Sequence, residues 1–288
     1  MSAISERARA KINLTLRVLG RRADGYHLLE SLIVFTGVGD AVTLEPGVPA
    51  AVEMAGPYAS AIAGGNLVDT ALAALAAADP NLTLGRVRVD KQLPIAAGIG
   101  GGSSDAAAVL RAVRRLNPAN GVDWESLAAA LGADVSVCRA DRSSLVWGVG
   151  EHVEPVESLP RLDAVLVCPQ STALFGKTKS VFGQLAVGEA VTASRPEPLP
   201  AFSGAGALID YMRGVGNELR TPAHAVLPDS AAAEAALSAE AECLYVSLSG
   251  AGPTSFGLFP DAGSAAAAAD RLRQRHPQWW VVATTLGD

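Results

Sequence analysis

"LPIAAGIGGGSSDAAA", residues 93–108, sets four glycines and two serines between a proline and the start of an alanine run. Glycine loses more backbone freedom on folding than any other residue, so such a cluster needs a physical use. Upstream, "RVRVDKQLP" alternates apolar and polar residues as a strand does; downstream, Ala106, Val109, Leu110 and Val113 recur at helical spacing until Pro118. Strand, glycine loop and helix in that order can hold a phosphate. Successive N–H groups of a glycine turn form an anion nest, and the helix start adds unpaired N–H groups and partial positive charge. Ser103 and Ser104 can cap the helix, or one hydroxyl can take a phosphate or its magnesium. The loop is not a Walker A sequence, which needs lysine where Ser103 follows Gly102. Nor is it the dinucleotide fingerprint, which from Gly98 needs glycine at Ser103. Read alone, the cluster serves equally as a flexible helix cap.

The surrounding chain of 288 residues is long enough for two subdomains, and with 49% hydrophobic and 18% charged residues it reads as an ordinary globular protein. A net charge of −6 without a long basic run excludes a nucleic-acid partner. Cys138, Cys168 and Cys243 are widely separated, and no zinc-type spacing with histidine occurs, so neither a metal site nor a disulfide framework is expected. The opening "MSAISERARAKINLTL" lacks the apolar core of a secretory signal, and the alanine-rich stretch Ala59–Ala78 is interrupted by Asn66 and Asp69. A cytoplasmic protein with no membrane partner is expected.

Ala8, Ala10, Ile12, Leu14, Leu16 and Val18 alternate with Arg9, Lys11, Asn13, Thr15 and Arg17, the pattern of a half-buried strand with a solvated polar face. Asp24-Gly25 marks a turn. Apolar runs at 32–35 and 41–44, with Gly37 and Gly39 between, read as an antiparallel meander. A helix is expected over 66–78, and "DWESLAAALGADVSVC" reads as a short helix closed by Gly132 and then a turn. The segment Glu154–Arg161 reads as a boundary between lobes 1–155 and 156–288. Beyond it come a buried strand in "DAVLVCP", two strands around the glycine turn of "LYVSLSGAGPTSFGLF", a helix over 264–275 and a strand in "WWVVATT". The class is α+β.

Three segments together resemble the GHMP kinases, a family that wraps nucleotide phosphates with a proline-led glycine-serine loop. "LPIAAGIGGGSSDAAA" is similar to the family's second motif and "SLSGAGPTSFGLF" to its third; "LGADVSVC" lies between them. The opening "ARAKINLTLRVLGRRADGYHLLES" resembles one particular member, whose acceptor carries a cytidine diphosphate group. The resemblance implies an N-terminal ATP-binding lobe like the second domain of ribosomal protein S5 and a ferredoxin-like C-terminal lobe. It also implies ATP-dependent phosphorylation of a small-molecule hydroxyl on the way to isoprenoid precursors, with Mg2+ neutralising the triphosphate, in a monomer or homodimer.

Carried over residue by residue, it implies ATP binding by Pro94, Ala97, Gly98, Gly100, Gly101, Gly102, Ser103 and Ser104, with Asn66 and Lys91 beside them. By themselves Asn66 and Lys91 read as exposed cap and strand residues. Lys11, otherwise one more lysine on a polar strand face, stands where the family keeps a lysine near the transferred phosphate. Asp134, otherwise a turn or cap residue, faces the acceptor hydroxyl as general base. The substrate falls to Asn13, to Tyr26 stacking on cytosine, to His27 hydrogen-bonding the base edge, and to Phe182 as second aromatic with Phe175 as alternative. Gly250 and Gly252 make a tight turn approaching the substrate phosphate. Asp105 is expected only to favour the helix N-terminus. Ser136 stands where the family commonly has proline. The rivals are a relative acting on homoserine or a mevalonate derivative, for which Tyr26-His27 would be pointless, and a nucleotide-binding regulator without chemistry.

Overall fold

The alternation that opens the chain becomes strand β1 (Ile4–Asn13) in the computed structural model, which describes residues 2–62, 65–170, 176–190 and 194–287. Ala8, Ala10 and Ile12 are fully buried, as their spacing predicts. The polar side departs from expectation: Lys11, Asn13 and Thr15 are buried too. Such groups are tolerated inside only when hydrogen-bonded, and these are. The strand also stops at Asn13 and resumes as β2 (Arg17–Arg21), because the Leu16 backbone between them bonds to Gly216 and Glu218. The turn at Asp24-Gly25 then leads into β3 (His27–Pro46), paired antiparallel with β2 from Arg17↔Glu30 to Arg21↔His27. The expected meander around Gly37 and Gly39 is instead this single 20-residue strand. Gly39 does not turn the chain; a Cβ there would collide with the Ala8 backbone, so it serves a close approach of strands.

The chain forms two compact units, each assembled from separate segments. The first comprises Met1–Ala10, Val38–Ile95 and Gly100–Asp141, the second Lys11–Gly37, Ala96–Ile99 and Arg142–Asp288. Strands β1 and β3 each contribute residues to both units.

In the first unit, β5 (Gly85–Asp90) pairs antiparallel with Ala41–Pro46 of β3 and parallel with β4 (Ala51–Ala55). Helix α1 (Leu67–Ala78) begins where the Asn66 side chain accepts from the Asp69 N–H, the cap its sequence predicts. Helix α2 (Gly101–Leu116) follows the glycine loop and packs against α1 and α4 (Ala133–Ala140). Its Ala106, Ala107 and Ala108 are completely buried, small enough for close helix contact. Between them α3 (Trp124–Leu131) is capped by Asp123 on the Ser126 N–H. The turn expected after Gly132 is α4 instead: Gly132, at φ 152°, ends α3 and starts α4 in one residue.

In the second unit, β6 (Ser144–Gly148) pairs with β3 and with β7 (His152–Pro155). Strands β8 (Leu162–Pro169), β9 (Tyr245–Leu248), β10 (Ser255–Phe259) and β11 (Trp279–Leu286) form an antiparallel sheet in the order β11-β8-β10-β9. Helices α5 (Lys177–Phe182), α6 (Ala205–Val215), α7 (Arg220–Val226) and α8 (Pro228–Ser238) connect β8 to β9, and α9 (Ala262–Arg275) connects β10 to β11. Spatial order fourth, first, third, second with α8 and α9 on the sheet is the split βαβ arrangement of a ferredoxin-like lobe. Val165, Val167, Leu237, Phe259, Leu272 and Val281 fill its core; each large apolar side chain buried contributes about 1.5–3 kcal/mol. Among the described residues no helix is long and apolar enough to cross a membrane.

Candidate active site

Four residues of the glycine loop, Ala96–Ile99, belong to the second unit, and protein groups fix them on several sides. The Lys177 ammonium donates to the Ala96 carbonyl, the Thr254 hydroxyl to the Ala97 carbonyl at 2.7 Å, and the Lys11 N–H to the Ile99 carbonyl at 2.9 Å. Gly98 has φ 78°, and a Cβ on it would collide with the Gly252 carbonyl, so neither its backbone angle nor its surroundings admit a side chain. Gly252 itself leads through a cis peptide into Pro253.

Lys11 and Asn13, neighbours on one side of β1, meet in the same unit. The Lys11 ammonium donates to Asn13 Oδ1 at 2.9 Å, and Asn13 Nδ2 donates to Ser31 Oγ at 2.8 Å. Ser31 passes the chain on to the Thr15 carbonyl at 2.6 Å, and Ser249 Oγ accepts from the Asn13 N–H at 3.2 Å. Asn217 holds the Leu248 and Gly250 carbonyls at 2.8 and 2.9 Å, which sets Gly250 where an added Cβ would stand 3.1 Å from Asn13 Oδ1. Lys11, Asn13, Gly98, Gly250 and Gly252 thus assemble within this unit. Ser31, Asn217, Ser249, Thr254 and Lys177 complete the assembly. None had a sequence signal, because each acts across a long stretch of chain.

The first unit holds the rest of the loop. Helix α2 begins at Gly101 with Gly100, φ 70°, as its side-chain-free cap, so Ser103 and Ser104 lie within the first turn and cap nothing. Ser104 is buried, donating to the Arg9 carbonyl at 2.7 Å, with Cys138 Sγ 3.2 Å away. Ser103 is half-buried, and Gly102 is exposed with open space where a Cβ would stand. Asp134 sits half-buried in the first turn of α4, where helix N–H groups favour its negative charge. Ser136 is buried inside that helix.

Lys91 is not on a solvated strand face. It is 2% exposed, paired with Asp40 and, at 2.6 Å, with Asp105. Burial opposes its charge, but the two carboxylates outweigh burial and raise its pKa. Asp40 also accepts from the Gln92 and Leu93 N–H groups at 2.6 and 2.8 Å, fixing the chain just before the buried Pro94. Asp105 does more than favour the helix start: burial, opposed by Lys91 and assisted by Asp40, pushes it up to about 8, and its Oδ1 has no hydrogen-bond partner.

On the hairpin after β2, Tyr26 is exposed, its N–H bound to Asp24 Oδ1 at 3.1 Å, while the His27 ring lies 4.8 Å from that of Phe182. Burial, and then the Arg21 guanidinium, lower the His27 pKa. The neutral ring has one donor and one acceptor nitrogen, suited to the edge of a base. Phe175 lies outside the described residues. Among the described residues no three His, Cys, Asp or Glu side chains could hold a metal ion.

Residues 66–144 match the GHMP kinases N terminal domain and residues 205–278 the GHMP kinases C terminal. A protein of Methylobacterium radiotolerans named 4-diphosphocytidyl-2-C-methyl-D-erythritol kinase is 41% identical over 99% of this chain and 100% of its own. One of the same name from Paracoccus denitrificans is 44% identical over 98% of this chain and 96% of its own. A crystal structure of 4-(cytidine 5'-diphospho)-2C-methyl-D-erythritol kinase superposes with a TM-score of 0.77 at 33% identity, covering 99% and 100% of the two chains. The homoserine kinase of Cytophaga hutchinsonii shares the fold, with a TM-score of 0.67 at 15% identity over 99% and 94%.

Proposed function

The chain belongs to the GHMP kinase family, and from that premise we propose that it transfers the terminal phosphoryl group of ATP to the 2-hydroxyl of 4-diphosphocytidyl-2-C-methyl-D-erythritol, on the non-mevalonate route to isoprenoid precursors. The observation that carries this reading is full-length similarity to kinases of that name, joined by a hairpin that presents Tyr26 and His27 with Phe182 beside them. An aromatic pair and a neutral imidazole suit cytosine, because stacking needs a flat face and the base edge needs both a donor and an acceptor. Homoserine and mevalonate have no flat ring for the aromatic side chains to stack on.

In this reading residues 1–155 form the ATP-binding lobe and 156–288 the second lobe of a cytoplasmic enzyme. The loop from Pro94 to Ser103 cradles the triphosphate. Asn66 lies by the adenosine, and Lys91 acts on the nucleotide by fixing the first turn of α2 through Asp105. The Ser104 hydroxyl is engaged with Arg9, so Ser103 is the one to contact a phosphate or its Mg2+. The donor set fits magnesium held by phosphates, waters and one hydroxyl rather than by a protein cage, and the ion would neutralise the triphosphate charge. Lys11 stabilises charge on the transferred phosphoryl oxygens, with Asn13 orienting its ammonium. Asp134 accepts or orients the proton of the acceptor hydroxyl, a contribution of about 10²–10⁴-fold. Gly250 and Gly252 bring backbone close to the substrate phosphates.

The test is ADP release with ATP and magnesium, offering the cytidyl substrate, homoserine and mevalonate separately to wild type and to Asp134→Ala. Turnover is expected with the cytidyl compound alone, falling in the variant by about 10²–10⁴-fold while ATP still binds. Turnover with homoserine or mevalonate instead would remove the cytosine site and leave the kinase.

A further inference from the structure

Ala96 is a residue other than glycine in the left-handed region, at φ 54°, where a Cβ crowds the backbone and the conformation must be held from outside. It opens the run Ala96–Ile99, and the carbonyls of Ala97 and Ile99 are held by fixed donors, the Thr254 hydroxyl and the Lys11 backbone N–H. The Ala96 carbonyl is held differently, by a side-chain ammonium from α5. Lys177 is 8% exposed, and it reaches back 81 positions in sequence to make that contact. An ammonium-to-carbonyl bond is charge-assisted and stronger than a neutral one, so its strength depends on the proton.

We propose that Lys177 is a positioning residue for nucleotide binding: its protonated ammonium holds the Ala96 carbonyl and so keeps the left-handed turn at the start of the glycine loop in the shape that receives phosphate. This rests on the reading of the loop as an ATP cradle. Carbonyls held by the protein leave the loop N–H groups to an anion, which is the arrangement of a phosphate nest. Nothing in the spacing of "FGKTKSVF" marks this lysine, since the loop it serves lies far upstream.

The surroundings of Lys177 make the clamp sensitive to pH in the working range. Burial, opposed by the nearby Cys168, lowers its pKa to about 8. The Cys168 thiol on β8 is itself raised by burial. Helix α7 also packs on α5, and its Arg220 and His224 are turned to Glu234 at 2.6 and 3.2 Å. On α5 itself Lys179 is exposed. ATP affinity is therefore expected to fall as pH rises through about 8, as the ammonium loses its proton.

The experiment measures the Kd of magnesium-ATP and the KM values of both substrates from pH 6.5 to 9.5, for wild type, Lys177→Met and Lys177→Arg, each checked for folding by urea unfolding. Wild type should lose ATP affinity several-fold across pH 8. Lys177→Met should bind ATP about tenfold more weakly at pH 7, with no further loss to pH 9.5 and the acceptor KM within twofold. Lys177→Arg, which keeps its charge throughout, should retain affinity to pH 9.5. A wild-type affinity independent of pH above 7, or a folded Lys177→Met that binds ATP as wild type does, overturns the clamp and leaves the cradle standing. Wild type that binds no ATP at any pH overturns the cradle, and the clamp with it.

Discussion

Two lysines, Lys91 of the first unit and Lys177 of the second, are both buried next to the ends of the same loop in sequence or through a carbonyl, yet the protein treats their charges in opposite ways. Lys91 lies between Asp40 and Asp105, which outweigh burial and raise its pKa. Lys177 is bonded to a neutral carbonyl, and burial lowers its pKa to about 8. A buried charge matched by carboxylates behaves as a structural rivet, because removing it strands the opposite charges. One held only by a dipole is cheap to neutralise and can respond to its surroundings. The same residue type at similar burial therefore carries stability in one place and responsiveness in the other.

The comparison is broken most directly by apolar substitution. Lys91→Met should cost about 3–5 kcal/mol in urea unfolding, because buried Asp40 loses its counter-charge and buried Asp105 loses its hydrogen-bond partner. A loss under 1 kcal/mol would mean that the trio is not an ionic rivet.

The pH dependence of stability sharpens the contrast, since the two sites give opposite slopes. Folded Asp105 keeps its proton between 3.8 and about 8, where the unfolded chain has lost it. The folded state then holds more protons, and this group makes stability fall as pH rises through that window. Folded Lys177 holds fewer protons than the unfolded chain between about 8 and 10.5, so its contribution rises with pH there. Asp105→Asn should flatten the acid-to-neutral slope, with stability at pH 7.5 equal to wild type or higher. Lys177→Met should remove the alkaline rise and leave the acid slope unchanged. Urea midpoints across pH 5–10 decide both.

The smallest expected effect is that of Lys177→Met on stability at neutral pH. Replacing a buried, dipole-held ammonium by an apolar chain of similar length should not lower stability by more than about 1 kcal/mol, while weakening ATP binding. A loss as large as that of Lys91→Met would erase the distinction between the two lysines.

Much of the candidate site's framework was legible in local sequence. The glycine loop between strand and helix, the hairpin carrying Tyr26 and His27, and the glycine turn between β9 and β10 are local events whose turn residues leave a signature. Several expectations failed for one reason, that tertiary contacts overrode local pattern. Gly37 and Gly39 did not break β3, since Gly39 answers to Ala8 across the strands. Residues after Gly132 formed a helix because α4 packs on α2 and α3. The polar side of β1 and Lys91 were buried rather than solvated, because partners the local pattern does not show satisfy them, as Ser31 does for Asn13 and Asp40 for Lys91. Asp105 became a buried acid for the same cause.

The sequence by itself determined the family, the α+β class and the placement of the glycine loop between a strand and a helix, because each is written in periodicity or in contiguous motifs. Only the tertiary structure decided which lysine is riveted and which is responsive, which of two adjacent serines is engaged, and which carbonyls of the loop are held. Those outcomes depend on groups brought together from distant parts of the chain, and on how far burial strips water from a charge before a partner replaces it. No local pattern encodes either quantity.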